Sequence, residues 1–192
     1  MRLSSLLLIS AWLLLCAAHP PLTFTPAGPA LAQPAEEYRT IWERDGAQIV
    51  AVMEEVTGLP YPDLPIEIIV SETPPMTAFD GRTMRLRGRY SATYKKATLV
   101  HELGHRLAFT LGRSTGLDDH SLLYLFLYDV WTDLYGQPFA DRIVSIERRI
   151  GPAYAAAWDF ALSMSREERQ QRLQGLRAQA SATSATANSA LR

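Results

Sequence analysis

The stretch His101-Glu102-Leu103-Gly104-His105 constrains the chain more than any other, because its chemistry requires a helix. Residues four apart share one face of a helix, so His101 and His105 can offer two imidazole nitrogens to one metal ion. Glu102 follows His101 directly and stands near enough to act on a water held by that metal. Two imidazole ligands and a carboxylate base on one helical turn point to metal-assisted hydrolysis. The rest of the chain must then supply a packed setting for that helix and a third ligand.

The chain has 192 residues, 47% hydrophobic and 20% charged, with a net charge of −1. This suits one globular domain and argues against a nucleic-acid or strongly membrane-attracted surface. Residues 1–32 read as an export signal. Arg2 is the positive start, Leu3 to Ala18 is an apolar run, and Ala30-Leu31-Ala32 is a small-x-small cleavage site. Cleavage after Ala18 is the alternative, and the run is short for a membrane span. The single cysteine, Cys16, lies within this segment behind Leu15, which suits a lipoprotein signal poorly. The expected mature chain, from Gln33, therefore carries no disulfide and no thiol chemistry. Its expected location is periplasmic or secreted, with no stable membrane insertion after the signal is removed.

From Ala35 to Thr57 apolar residues recur at helical spacing, and Gly58 with Pro60 and Pro62 ends the pattern. Pro65 to Val70 is a β-branched strand signal. Met76 to Phe79, the turn pair Asp80-Gly81 and Thr83 to Tyr90 predict a β-hairpin. Its second arm sets Arg85, Arg87 and Arg89 against Met84, Leu86 and Tyr90. That suits an edge strand with a charged outer face, a reading compatible with a second in which these arginines receive acidic or carboxylate-bearing substrates.

The motif helix is predicted from Ala92 to Leu111, with Gly112 as its stop. Gly104 inside it costs about 1 kcal/mol of propensity relative to Ala, which suggests that another backbone passes close. Asp118 or Asp119 caps a second, almost wholly apolar helix reaching Tyr135. Further helices follow over Phe139 to Ile150, through Trp158 and Leu162, and from a Ser165/Glu168 capping box to about Gln179. Residues 180–192, rich in Ala, Ser and Thr, read as a disordered tail. The domain thus spans 33–179 and is α+β: mostly helical, with a small sheet preceding the motif helix.

A catalytic zinc site needs a third protein ligand. If the motif helix and its successor form an antiparallel hairpin, residues at equal distances from the loop lie side by side. The metal sits at the level of Leu103, nine residues before Gly112 (112 − 103); nine residues beyond Asp119 is Tyr128 (119 + 9). Asp129 adjoins that level, whereas His120 falls about 12 Å short along the axis. Asp129 and Asp133 share one face, so one can bind the metal and the other accept a ligating histidine's N–H. Asp129 is therefore the expected ligand and His120 the alternative, with Asp118, Asp119 and Asp133 as further candidates.

On these residues the chain resembles the zincin metallopeptidases, of the gluzincin type. There a helix bearing the motif precedes a second helix with an acidic ligand and, four residues on, an Asp contacting a histidine. Tyr128-Asp129-Val130-Trp131-Thr132-Asp133 matches that spacing, with Asp129 in place of the usual Glu. The metzincin extension is absent, Ala108 standing where its glycine falls. The resemblance, over roughly 66 to 136, implies a zinc-dependent peptidase acting on peptide or protein substrates with Glu102 as general base. A phenol from Tyr124, Tyr128 or Tyr135 is expected to stabilise the oxyanion. The rivals are a non-catalytic zincin-fold binding module of an envelope complex and a coincidental motif in an interaction protein.

Overall fold

The computed structural model describes residues 19–111 and 115–190, with side chains through 182. Among them are six α-helices and a four-stranded sheet, a mixed α+β architecture. Strand β1 (Leu22–Pro26) leads through one 3-10 turn into helix α1 (Ala32–Thr57). Strands β2 (Ile66–Ser71), β3 (Met76–Thr77) and β4 (Thr83–Arg87) follow. Then come α2 (Ala92–Phe109), α3 (Asp119–Tyr135), α4 (Gln137–Glu147), α5 (Pro152–Leu162) and α6 (Arg166–Ala190).

The sheet order is β1-β2-β4-β3, with β1 and β4 parallel to β2 and β3 antiparallel to β4. The hairpin forms as the sequence predicts, its turn closed by Gly81 N–H to Ala78 C=O at 2.8 Å with Gly81 at φ 66°. The arginine strand is not the edge, however. β2 pairs along one side of β4, so the two-residue β3 becomes the edge and lies against α2. Met84 and Leu86 are fully buried while Arg85 and Arg87 point outward. Arg89 meets Glu72 at 3.3 Å, and Arg85 Nε donates to the Pro74 carbonyl at 2.9 Å.

Residues 1–18 of the expected signal lie outside the described residues. The remainder of that segment, 19–32, is folded against the domain. Leu22 to Pro26 pair residue by residue with Ile66 to Val70, Phe24 is buried, and His19 packs edge-on against Trp42. A cut after Ala32 would remove one strand of the sheet and fall within the first turn of α1. The short alternation Leu22-Thr23-Phe24-Thr25 is a strand pattern that the Pro-rich surroundings obscure. At the other end, α6 continues to Ala190 rather than ending near Gln179. The alanines in that stretch favour helix, which outweighs the Ser and Thr content read as disorder.

α3 is the buried helix the sequence predicts: Leu122 to Leu127 are all within the core, as are Val130 and Trp131. Around it lie α1, α2, α4, α5 and α6. α1 ends at Gly58, whose φ of 62° is a left-handed cap that favours glycine, and its N–H donates to Glu54 C=O. The Ser165/Glu168 capping box forms at the start of α6, at 3.2 and 2.7 Å. No described helix is long and apolar enough to cross a membrane.

Candidate metal centre

α2 starts at Ser91, whose hydroxyl accepts the Tyr94 N–H, and is buried almost continuously from Ala97 to Ala108. His101, Glu102 and His105 lie at 7%, 4% and 8% exposure, so the motif stands at the floor of the fold rather than on a solvated face. Gly104 marks where α3 presses on α2. A Cβ there would lie 2.6 Å from Leu123 Cδ1, so the close neighbour is a side chain rather than a backbone. The Asp118 carboxylate caps α3 by accepting the N–H groups of His120 and Ser121 at 3.1 and 2.9 Å. This cap fixes His120 in the first turn of α3, opposite the histidine pair.

One ligand atom from each of His101, His105 and His120 lies within 4.8 Å of the others. His101 Nε2 and His105 Nε2 are 3.2 Å apart. Two nitrogens at about 2.05 Å from a tetrahedral zinc are separated by about 3.3 Å, so the pair has the spacing of two such ligands. His105 Nδ1 is buried without a partner. His101 Nδ1 lies 2.9 Å from Glu147 Oε1. That carboxylate is buried and also accepts the Tyr124 hydroxyl and the Trp158 indole N–H on Oε2, at 2.9 and 3.1 Å. A carboxylate on Nδ1 holds the proton there and leaves the Nε2 lone pair directed at the cluster.

The structure does not bring Asp129, the expected third ligand, to this cluster. Asp129 is turned away, its two oxygens held by Arg169 of α6 at 2.6 and 3.1 Å in a buried ion pair. Asp133 is bound by Arg166 and contacts no histidine. Asp118 is the cap, and Asp119 lies at the cleft beside His120. The hairpin count took Gly112 as its origin, whereas α2 ends at Phe109 rather than Leu111. From the true ends, Gly104 is five residues back (109 − 104) and its contact Leu123 is four residues in (123 − 119), so the matching level is near Leu123. His120 is then one turn from the crossing.

Burial, together with the charges of His101 and His120, pushes the His105 imidazole well below its ordinary pKa. Burial and His101 push His120 down to about 4. For His101 burial also acts downward, but the charge and hydrogen bond of Glu147 outweigh it and raise the value. His105 and His120 are thus neutral at physiological pH, the state in which an imidazole nitrogen can bind a metal. Glu102 is raised by burial, against the opposing pull of His101 and of a hydrogen bond from Thr77. The Thr77 hydroxyl, on the edge strand, donates to Glu102 Oε2 at 2.7 Å. A carboxylate with a raised pKa is suited to receive and return a proton.

These groups open into a cleft of about 460 Å³ lined by His101, Glu102, His105, His120, Thr77 and Tyr154. None of the expected phenols is available to it. Tyr124 donates to Glu147, Tyr128 donates to Asp141, and the Tyr135 hydroxyl is buried elsewhere. Tyr154 of α5 lines the cleft, its ring 4.3 Å from that of His120. Comparison with protein-family models, with curated proteins and with solved structures gave no match.

Sequence reasoning missed Glu147 and Tyr154. Glu147 sits beside Arg148 and Arg149 and reads as part of a polar face; its only local distinction is that it ends α4, where burial against Trp158 begins. Tyr154 follows Gly151-Pro152 in a helix of small residues, and nothing local marks it. Only tertiary packing brings either one to residues 101–105.

Proposed function

We propose that this chain is an exported, zinc-dependent peptidase of zincin type. The observation that carries the reading is three imidazoles and a buried glutamate converging in one cleft, with the glutamate beside a sheet edge. His101, His105 and His120 would hold the metal, and Glu147 fixes the His101 tautomer. A zinc ion bound there supplies Lewis acidity toward a water molecule and the scissile carbonyl. Glu102 takes the proton of that water and passes it to the leaving amine. The Tyr154 hydroxyl, from a residue lining the same cleft, would donate to charge developing on the carbonyl oxygen. The β3 edge, whose Thr77 orients Glu102, lies along the cleft where an extended substrate backbone would run.

Export follows from the apolar run at 3–18, with the cut placed after Ala18, since β1 and Pro20 belong to the folded domain. N-terminal sequencing of the protein from a periplasmic fraction checks this, and a start at Gln33 would refute it.

The test of mechanism is Glu102→Gln. Zinc content should stay at one per chain while hydrolysis of a peptide library disappears. Hydrolysis that survives the change would sink the mechanism, and wild-type protein that binds no zinc would sink the metal site.

A further inference from the structure

A second hollow of about 290 Å³ leads away from His101 and Glu102 along α2. Tyr94, Thr98 and His101, at i, i+4 and i+7 of that helix, line it, which sets its far end about 10 Å from His101. There the Tyr90 and Tyr94 rings meet edge-on at 4.5 Å, and the Arg87 guanidinium lies 5.8 Å from the Tyr90 ring centre. Pro74, Pro75 and Ile150 complete the lining, so the cation stands among apolar surfaces rather than in open water.

Of the three alternating arginines, only Arg87 lines this hollow. Arg85 Nε is held by the Pro74 carbonyl at 2.9 Å. Arg89, 83% exposed, is the nearer partner of Glu72 at 3.3 Å, and Arg87 stands at 4.0 Å from the same carboxylate. Its backbone is fixed by the Ser71↔Arg87 pairing of β2 with β4 and by the Tyr38 hydroxyl, which donates to the Arg87 carbonyl at 3.0 Å. The Tyr90 and Tyr94 hydroxyls have no hydrogen-bond partner among the described residues, and burial pushes the Tyr94 phenol up, so it stays a donor. The two carboxylates of the lining are engaged, Glu102 by Thr77 and Glu147 by His101, Tyr124 and Trp158. The far end is thus rich in donors and short of an acceptor. The group that meets a planar guanidinium with two oxygens is a carboxylate.

Resting on the peptidase reading, we infer that this hollow is a carboxylate subsite: Arg87, with hydroxyl donors from Tyr90 and Tyr94, receives a carboxylate of the bound substrate. A length of about 10 Å is that of two to three residues of extended chain. The carboxylate is therefore either a chain terminus or an Asp or Glu side chain close to the cut.

The experiment uses zinc-loaded full-length protein and two matched peptide sets. One set carries a free or an amidated C-terminus, the other Glu or Gln at each position within three residues of the cut. At least one of these exchanges should lower kcat/KM by about tenfold, the low end for a charge-assisted pair because Arg87 is half-exposed. The set that responds identifies the source of the carboxylate. Arg87→Gln should abolish the difference, Glu72→Gln should widen it by removing a competing acid, and Arg82→Gln, outside the hollow, should leave it unchanged. Calorimetry on the Glu102→Gln variant should give the same order of affinities, weakening as salt is added. Cleavage indifferent to both exchanges overturns the subsite and spares the peptidase reading, as does a preference that survives Arg87→Gln or is lost equally in Arg82→Gln. Carboxylate-dependent binding without cleavage by the wild type overturns the peptidase reading and sustains the subsite.

Discussion

Glu147→Gln removes one charge at a position that is 4% exposed and keeps the shape of the side chain. Three donors converge on the carboxylate: His101 Nδ1–H on Oε1, and the Tyr124 hydroxyl and Trp158 Nε1–H on Oε2. An amide offers one accepting oxygen and one NH2. If the NH2 faces His101, the imidazole proton moves to Nε2 and blocks the lone pair that faces His105. If it faces α3 and α5, the indole N–H, which can only donate, meets another donor. Leaving one buried donor unsatisfied costs about 1–3 kcal/mol. Loss of a carboxylate behind a ligating histidine lowers metal affinity about 10- to 100-fold, or about 1.4–2.8 kcal/mol. A zinc titration against a competing chelator near neutral pH, with denaturant unfolding of the metal-free variant, measures both quantities. Nitrogen chemical shifts of His101 report the tautomer directly. A folded variant with wild-type zinc affinity and an unshifted His101 tautomer would refute the argument, because nothing else in the structure holds that proton on Nδ1.

His120→Ala should lose zinc while Asp129→Ala retains it, the two read by metal analysis; full zinc in the His120 variant would remove it from the site. Asp129→Ala should instead lower stability by about 3–5 kcal/mol in denaturant, since it strands the buried Arg169 charge. Gly104→Ala should destabilise despite a propensity gain of about 1 kcal/mol, because its Cβ overlaps Leu123 and overpacking costs about 1–3 kcal/mol; a higher melting temperature would contradict that contact. Metal-free protein should lose stability as pH falls from about 6.5 towards 4. In that window the unfolded chain protonates His105 and His120 while the folded chain resists, and the raised His101 opposes this only in part. A denaturation midpoint that rises on acidification would reverse the sign of the argument.

Much of the fold was written in local pattern. The caps at Ser91, Asp118 and Ser165, the stop at Gly58 and the turn at Gly81 stand where side-chain chemistry and a positive φ put them. The histidine pair and Glu102 needed only a helix, and α2 supplies it. What the sequence could not convey was register between helices. Counting from Gly112 rather than from Phe109, where α2 ends, moved the facing level by three residues, about a turn, and favoured Asp129 over His120. Asp129 did need a partner, as a buried carboxylate must, but it and the exposed Asp133 are both met by guanidinium groups of α6 from more than thirty residues away. β1 was hidden for a different reason: a five-residue strand beside an apolar leader shares its composition.

Two of the three histidines stand on opposite sides of the connection between α2 and α3. A metal bound to both His105 and His120 joins positions fifteen residues apart (120 − 105). In chain-entropy terms, a cross-link closing a loop of that size is worth about 3 kcal/mol. With one cysteine in the whole sequence, no intrachain disulfide can serve that purpose. The ion that enables chemistry would thus also fasten residues 115–118, which lead into α3, Leu117 among them. Withdrawing metal should therefore speed amide exchange in residues 115–118 before it loosens the sheet.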